Sequence, residues 1–218
     1  MRRPSSRPAR RPSTCTSTTG RGDRTLAPGP VGEALAAIRA AAPGLPVGLS
    51  TAAGQVGAAA AALAAWDVLP EFVSVNLEEP GAPGLAALAR ERGVAVEAGL
   101  WTVEDARALV ASGLAPTCLR VLVEPRERED AAAACAVAAG IEDVLAAAGI
   151  ATPQLHHGKG AATWAVVERA LARGHQVRIG LEDVQAHADG RPAQGNRDLV
   201  EAAVARARLN GTTTGGNA

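Results

Sequence analysis

Cys118-Leu119-Arg120-Val121-Leu122-Val123-Glu124, followed after a short polar turn by an alanine-rich run over 131–148, is the stretch that decides the fold. A short apolar run containing β-branched residues and bounded by turn residues reads as a buried strand. The run behind it reads as one long helix, or as a helix interrupted at Gly140. Working outward, the same strand-then-helix unit recurs. Toward the N-terminus lie strands over 45–50, 71–76 and 93–98 and helices over 57–66, 84–92 and 103–112, with one earlier helix over 31–42 that stops before the breaker pair Pro43-Gly44. Toward the C-terminus come a strand over 153–156, a helix over 161–173, a strand closing at Val177-Arg178-Ile179, and a last helix over 197–208.

Six strands, each followed by a helix and joined by short connections, demand a largely parallel sheet covered by helices. A doubly wound sheet and a barrel both satisfy this. Polar residues recur at the strands' C-terminal ends: Ser50 and Thr51, Asn76, Glu97, Glu124, His156 and His157, then Glu182 and Asp183. In a barrel those ends converge on one mouth, whereas an open sheet gathers only those near its switch point. The expected fold is therefore α/β, a (β/α)8 TIM barrel that is incomplete, with roughly the first two strands missing or scrambled. The domain limits are a segment over 1–30 that is disordered or out of frame, a barrel domain over 31–209, and a flexible tail over 210–218.

Lys plus Arg and Asp plus Glu each number 22 in the 218 residues, so no global field recruits nucleic acid or an acidic membrane. Cys15, Cys118 and Cys135 are widely spaced and odd in number, which argues against a disulfide framework or a structural zinc. No apolar run approaches the ~20 residues that span a bilayer, and no apolar segment follows the first arginines. The expectation is a soluble cytoplasmic protein.

Val177-Arg178-Ile179-Gly180-Leu181-Glu182-Asp183 groups three charges at a strand end, where burial is costly unless they are paired, hydrogen-bonded or bound to a metal. Adjacent His156 and His157 face opposite sides of a strand, and His157 is the one expected in the mouth. Gly158-Lys159-Gly160, between a strand and a helix, suits a phosphate, with Lys159 as the charged contact. Trp66, Trp101 and Trp164 read as packing residues, the cysteines as inert, and His175 and His187 as surface residues.

In order and spacing these segments resemble the beta-keto acid cleavage enzymes. The resemblance runs over about 22–207. It is carried by Val47-Gly48-Leu49-Ser50-Thr51, Ser74-Val75-Asn76-Leu77, Val96-Glu97-Ala98-Gly99-Leu100-Trp101, His157-Gly158 with Thr163-Trp164, and Arg178-Ile179-Gly180-Leu181-Glu182-Asp183 with Asp189-Gly190 and Asn196. It implies a zinc-dependent barrel, a homo-oligomer, that converts a β-keto acid and acetyl-CoA into an acyl-CoA and acetoacetate. Glu182 then corresponds to the carboxylate zinc ligand, Arg178 and Asp183 to the catalytic pair, and Ser50, Ser74, Asn76 and Glu97 to residues that hold substrate. Zinc would act as a Lewis acid on the keto oxygen.

The chain departs from the family at one place. Family members supply two more zinc ligands from a His-x-His pair after the second strand, followed by an acidic residue; here the sequence before Gly22 reads Cys15-Thr16-Ser17-Thr18-Thr19. One carboxylate does not hold zinc, since catalytic sites usually supply three protein ligands. With G or C at suitable third positions, the bases encoding Pro8 to Thr19, read one nucleotide earlier, give Ala-Gly-Ala-Ala-Ala-Val-Asp-Leu-His-Val-His-Asp. The region before about Gly20 is thus expected to be translated out of frame. Two rival expectations stand beside the enzyme: a non-catalytic barrel remnant, and a phosphate-binding aldolase or isomerase barrel. The nucleotide sequence upstream of Gly20 checks the frame: an alternative frame encoding His-x-His is expected, and its absence refutes the shift.

Overall fold

Short apolar strands and helices alternate along the chain in the order the sequence implies. The computed structural model describes residues 13–15, 24–51 and 56–214. In chain order the elements are β1 (Ser13–Cys15), α1 (Pro28–Ala41), β2 (Val47–Ser50), α2 (Val56–Ala65), β3 (Phe72–Asn76), α3 (Ala82–Glu91), β4 (Ala95–Leu100), α4 (Val103–Ser112), β5 (Arg120–Val123), α5 (Ala131–Ala147), β6 (Gln154–His156), α6 (Thr163–Ala172), β7 (Gln176–Val177) and α7 (Asn196–Thr214). Of the segment over 1–30, the described parts are β1 and the stretch from Arg24 into α1; the remainder, including most of the alternative-frame reading, lies outside the described residues. Chain contacts divide the protein into two compact units, 1–75 with 79–96 and 76–78 with 97–218.

In the first unit β1, β2 and β3 pair in parallel, Ser13 opposite Val47 and Ser50 opposite Ser74. Val47, Leu49, Phe72, Val73 and Val75 are buried on both faces of their strands, as a helix-covered parallel sheet requires. Arg92, just past α3, donates to the carbonyls of Leu63, Ala64 and Trp66, satisfying the open C-terminal end of α2. Trp66 donates its indole N–H to Leu26 O at 2.8 Å, so this tryptophan is a packing residue with its polar edge satisfied.

In the second unit the parallel ladder runs β4, β5, β6, β7. Outside it, α4 starts with a reciprocal cap between Thr102 and Asp105 and ends at Gly113, whose φ of 68° suits glycine. Gly140 does not interrupt α5. A Cβ there would lie 2.7 Å from Val103 Cγ2, so the glycine lets α5 approach the start of α4. Several strands differ by a residue or two from the expected bounds, and two of the differences bear on the site. β4 runs on to Leu100, because nothing breaks the ladder before Trp101, and this leaves Glu97 inside the strand instead of at its end. β7 stops at Val177, where the chain turns and the Asp183 N–H donates to Gly180 O at 2.9 Å. Among the described residues no helix is long and apolar enough to cross a membrane.

Gly48 shows how little slack the first unit has. A Cβ built there would stand 2.1 Å from the Phe72 ring, which is fully buried on the neighbouring strand. Gly48→Ala is expected to destabilise the fold by about 1–3 kcal/mol through overpacking, read as a lower urea midpoint at an unchanged slope; an unchanged midpoint would show that the ring moves freely.

Candidate active site

Register places the site. Leu100 pairs with Val123, Val123 with His156 and His156 with Val177, so one row crosses the four strands of the second unit. The ladder continues a step further: Glu124 N–H donates to Leu100 O, His157 N–H to Val123 O and Arg178 N–H to His156 O, at 2.9, 3.1 and 3.0 Å. Successive side chains on a strand point to opposite faces. Val123, His156 and Val177 therefore share one face, and Glu124, His157 and Arg178 share the other.

On that second face the charges form an alternating chain. Lys159 Nζ pairs with Glu124 Oε1, and Glu124 Oε2 lies 3.1 Å from His157 Nε2. His157 Nδ1 lies 3.3 Å from Asp183 Oδ1, and Asp183 Oδ2 lies 3.6 Å from Arg178 Nε. Arg178 Nη2 then donates to Glu182 Oε2 at 3.1 Å. His157 is fully buried and the Asp183 side chain is 1% exposed, while Glu182 is 59% exposed. Both ring nitrogens of His157 and both oxygens of Asp183 lack a hydrogen bond of proper geometry among the described residues, so charge attraction holds them.

Burial disfavours charge on His157, yet Asp183 and Glu124 outweigh it and raise its pKa above the ordinary histidine value, with Arg178 opposing them. Burial likewise disfavours ionised Glu124, and His157 and Lys159 outweigh it, holding this carboxyl well below the usual range. The turn carrying Glu182 and Asp183 is fixed by backbone bonds. Leu181 N–H donates to Asn196 Oδ1 and Gly160 N–H to Asp183 O, each at 2.8 Å. A Cβ at Gly158 would fall 2.8 Å from Thr163 Cα, which explains glycine where the loop meets α6.

The structure thus brings Arg178, Glu182 and Asp183 together and adds Glu124, His157 and Lys159. Lys159, expected as a phosphate contact, is committed to Glu124. Ser50, at the end of β2, sits opposite Ser74 in the middle of β3 in the first unit, and Asn76 closes β3. Glu97 is fully buried within β4 and pairs with Arg120, its neighbour in register on β5. That partner went unread because Arg120 sits inside an otherwise apolar strand, where it looks like an isolated charge.

The opposite face holds a second polar cluster. His156, with Nε2 3.0 Å from Gln154 Oε1, stacks on His175 at 4.7 Å between centroids. Both rings turn toward Glu142 of α5, at 3.8 and 3.7 Å, and Glu142 is held by Arg169 and Arg173 of α6 and its end. Two expectations are corrected here. His175 is no surface residue, because its ring covers buried His156; and His187 is buried, pairing with Asp198 at 2.7 Å and lying beside Trp164.

A family model described as beta-keto acid cleavage enzyme matches residues 17–214. The chain belongs to this family. It is also similar to a solved structure described as the ternary complex of ObcA with a C4-CoA adduct and oxalate, at 17% identity and a TM-score of 0.65, over 88% of this chain and 54% of that one. At this identity the likeness bears on the fold alone, and the chain spans about half of that relative's length. No curated protein matches the chain.

For a beta-keto acid cleavage enzyme, zinc is the implied metal, and its fit can be judged from the donors. Among the described residues the one group of three metal-capable side chains within 4.8 Å of one another is Glu142, His156 and His175, not one built on Glu182. Its carboxylate already carries two arginines, so a dication there would join an excess of positive charge. The described residues do not fit the metal at Glu182.

The buried cluster makes a pH prediction. Burial, and then His175, push the His156 pKa down to about 3 from 6.5. His156 stays neutral in the folded chain while the unfolded chain takes up a proton below its ordinary pKa. Stability is therefore full above that pKa and falls as the pH drops toward the folded value, by about 1.4 kcal/mol per pH unit at most. Urea midpoints measured from neutral pH to pH ~4 are expected to fall, and His156→Gln is expected to flatten the fall by about one proton. An equally steep fall in the variant would assign the effect elsewhere.

Proposed function

We propose that this chain carries the catalytic half-site of a CoA-dependent enzyme that converts a β-keto acid and acetyl-CoA into an acyl-CoA and acetoacetate, on an incomplete (β/α)8 barrel in the cytoplasm. Family membership supports the reaction class, and the CoA adduct named for the ObcA structure supports the co-substrate. The observation that carries the reading is Asp183: a carboxylate almost wholly removed from water, without a proper hydrogen bond among the described residues, beside the Arg178 guanidinium.

Asp183 takes the proton from the carbon between the keto and carboxylate groups, and Arg178 holds the substrate carboxylate or the developing oxyanion. The carbanion forms a bond to the acetyl carbonyl and CoA leaves as the thiolate. The thiolate then attacks the original keto carbon, the older carbon–carbon bond breaks with its electrons on the acetoacetate carbon, and the proton held by Asp183 is returned to that carbon. Ser50, Ser74, Asn76 and Glu97 are the residues the family likeness assigns to holding substrate. Glu97 would do so through its second oxygen, which has no hydrogen bond of proper geometry among the described residues.

By the family likeness zinc would act as the Lewis acid, and Glu182 would be its carboxylate ligand only together with two histidines, which an alternative frame before Gly20 would encode. The incomplete donor set favours a second reading for the chain as it stands, a non-catalytic barrel remnant. A phosphate-binding aldolase or isomerase is less well supported, since Lys159 is held by Glu124.

Acetoacetate formed from acetyl-CoA and a panel of β-keto acids tests the reading. The frame-restored chain is expected to turn over and to carry stoichiometric zinc, whereas the present sequence binds less. Asp183→Asn is expected to lower kcat by about a hundredfold or more. Absence of acetoacetate from the frame-restored chain refutes the assignment.

A further inference from the structure

His157 is used by none of the steps above, yet it is the most enclosed ionisable group beside Asp183. Its backbone N–H extends the ladder past β6 by bonding to Val123 O at 3.1 Å, so the ring stands on a fixed base. The ring then bridges two carboxylates, Glu124 through Nε2 at 3.1 Å and Asp183 through Nδ1 at 3.3 Å. A neutral imidazole has one N–H and one lone pair, so it would turn a lone pair toward one of two buried carboxylates. A ring protonated on both nitrogens carries the positive charge that attracts both neighbours, and that charge attraction, not a hydrogen bond of proper geometry, is what the two contacts show. The other groups facing this chain of charges are Lys159, on the far oxygen of Glu124, and Arg178, on the far oxygen of Asp183.

We propose that His157 is a positioning residue that fixes the direction of the Asp183 carboxylate, with Glu124 and Lys159 holding the imidazole from behind. This rests on Asp183 being the proton acceptor. The carboxylate is bracketed by His157 on one oxygen and Arg178 on the other, and its backbone carbonyl is tied to Gly160 N–H. The rotation that a two-torsion side chain would otherwise have is thereby removed. A base held in one orientation meets the substrate proton without having to be ordered in the transition state. The same arrangement links the Gly158-Lys159-Gly160 loop to the base through Glu124, so movement of that loop is felt at Asp183.

The protein has four histidines, so 15N labelling of histidine resolves the rings individually. At neutral pH His157 is expected to show both ring nitrogens protonated. Glu124→Gln is expected to shift one ring N–H signal of His157 and Asp183→Asn the other, with His156, His175 and His187 unmoved. A neutral His157 ring, or signals indifferent to Asp183→Asn, overturns the proposal. In the frame-restored enzyme, His157→Ala is expected to lower kcat by about tenfold to a hundredfold while KM for the keto acid stays within about twofold, and added imidazole is expected to recover part of the loss. A loss carried by KM, or no loss, also overturns it. If the enzyme forms no acetoacetate at all, the reaction assigned above fails, while the labelling experiment still decides the clamp.

Discussion

The parallel register across β4 to β7 is the constraint on which the rest depends. It aligns Leu100, Val123, His156 and Val177 in one row, and strand alternation then distributes everything that follows. A shift of one residue in the pairing of β6 with β5 would exchange His156 with His157 and send the Asp183 partner to the helix side. Two histidines adjacent in sequence thus occupy unlike environments. One ring is pushed neutral by burial and by His175 beside it, and the other is drawn toward charge between carboxylates.

Both faces solve the same electrostatic problem, since an ionised group taken out of water needs a partner. On the helix side, Glu142 is compensated by Arg169 and Arg173, one turn apart on α6 and just beyond it. On the other side, Lys159, Glu124, His157, Asp183 and Arg178 alternate basic with acidic, so each carboxylate lies between two basic groups. Within β4 and β5 the Glu97–Arg120 pair repeats the arrangement at a smaller scale. These clusters replace apolar packing where the strands carry polar residues, and they set which side chains are free to meet a substrate.

Much of this was legible in the sequence. Alternation of short apolar runs with glycine-ended helices gave the order of the six later strands, because both periods are strong and the connections short. The Arg178–Asp183 motif identified the charged turn, and the adjacency of two histidines required that they part. What could not be read were partners distant in sequence. Arg120 finds Glu97 only through strand register, and Glu142 finds Arg169, Arg173 and His175 only once α5 and α6 pack. The end of β4 was misplaced for a related reason: Glu97 resembles a terminator when read locally, and only its buried cation lets the strand continue.

Lys159 is the one lysine in the chain, and its amine rests on a buried carboxylate at the edge of the charged site. Amine-directed reagents therefore have a single side-chain target, apart from the chain's own first residue. A label or crosslinker placed there would report on the neighbourhood of Asp183 with no engineered attachment point. Its reactivity would rise wherever the grip of Glu124 loosens.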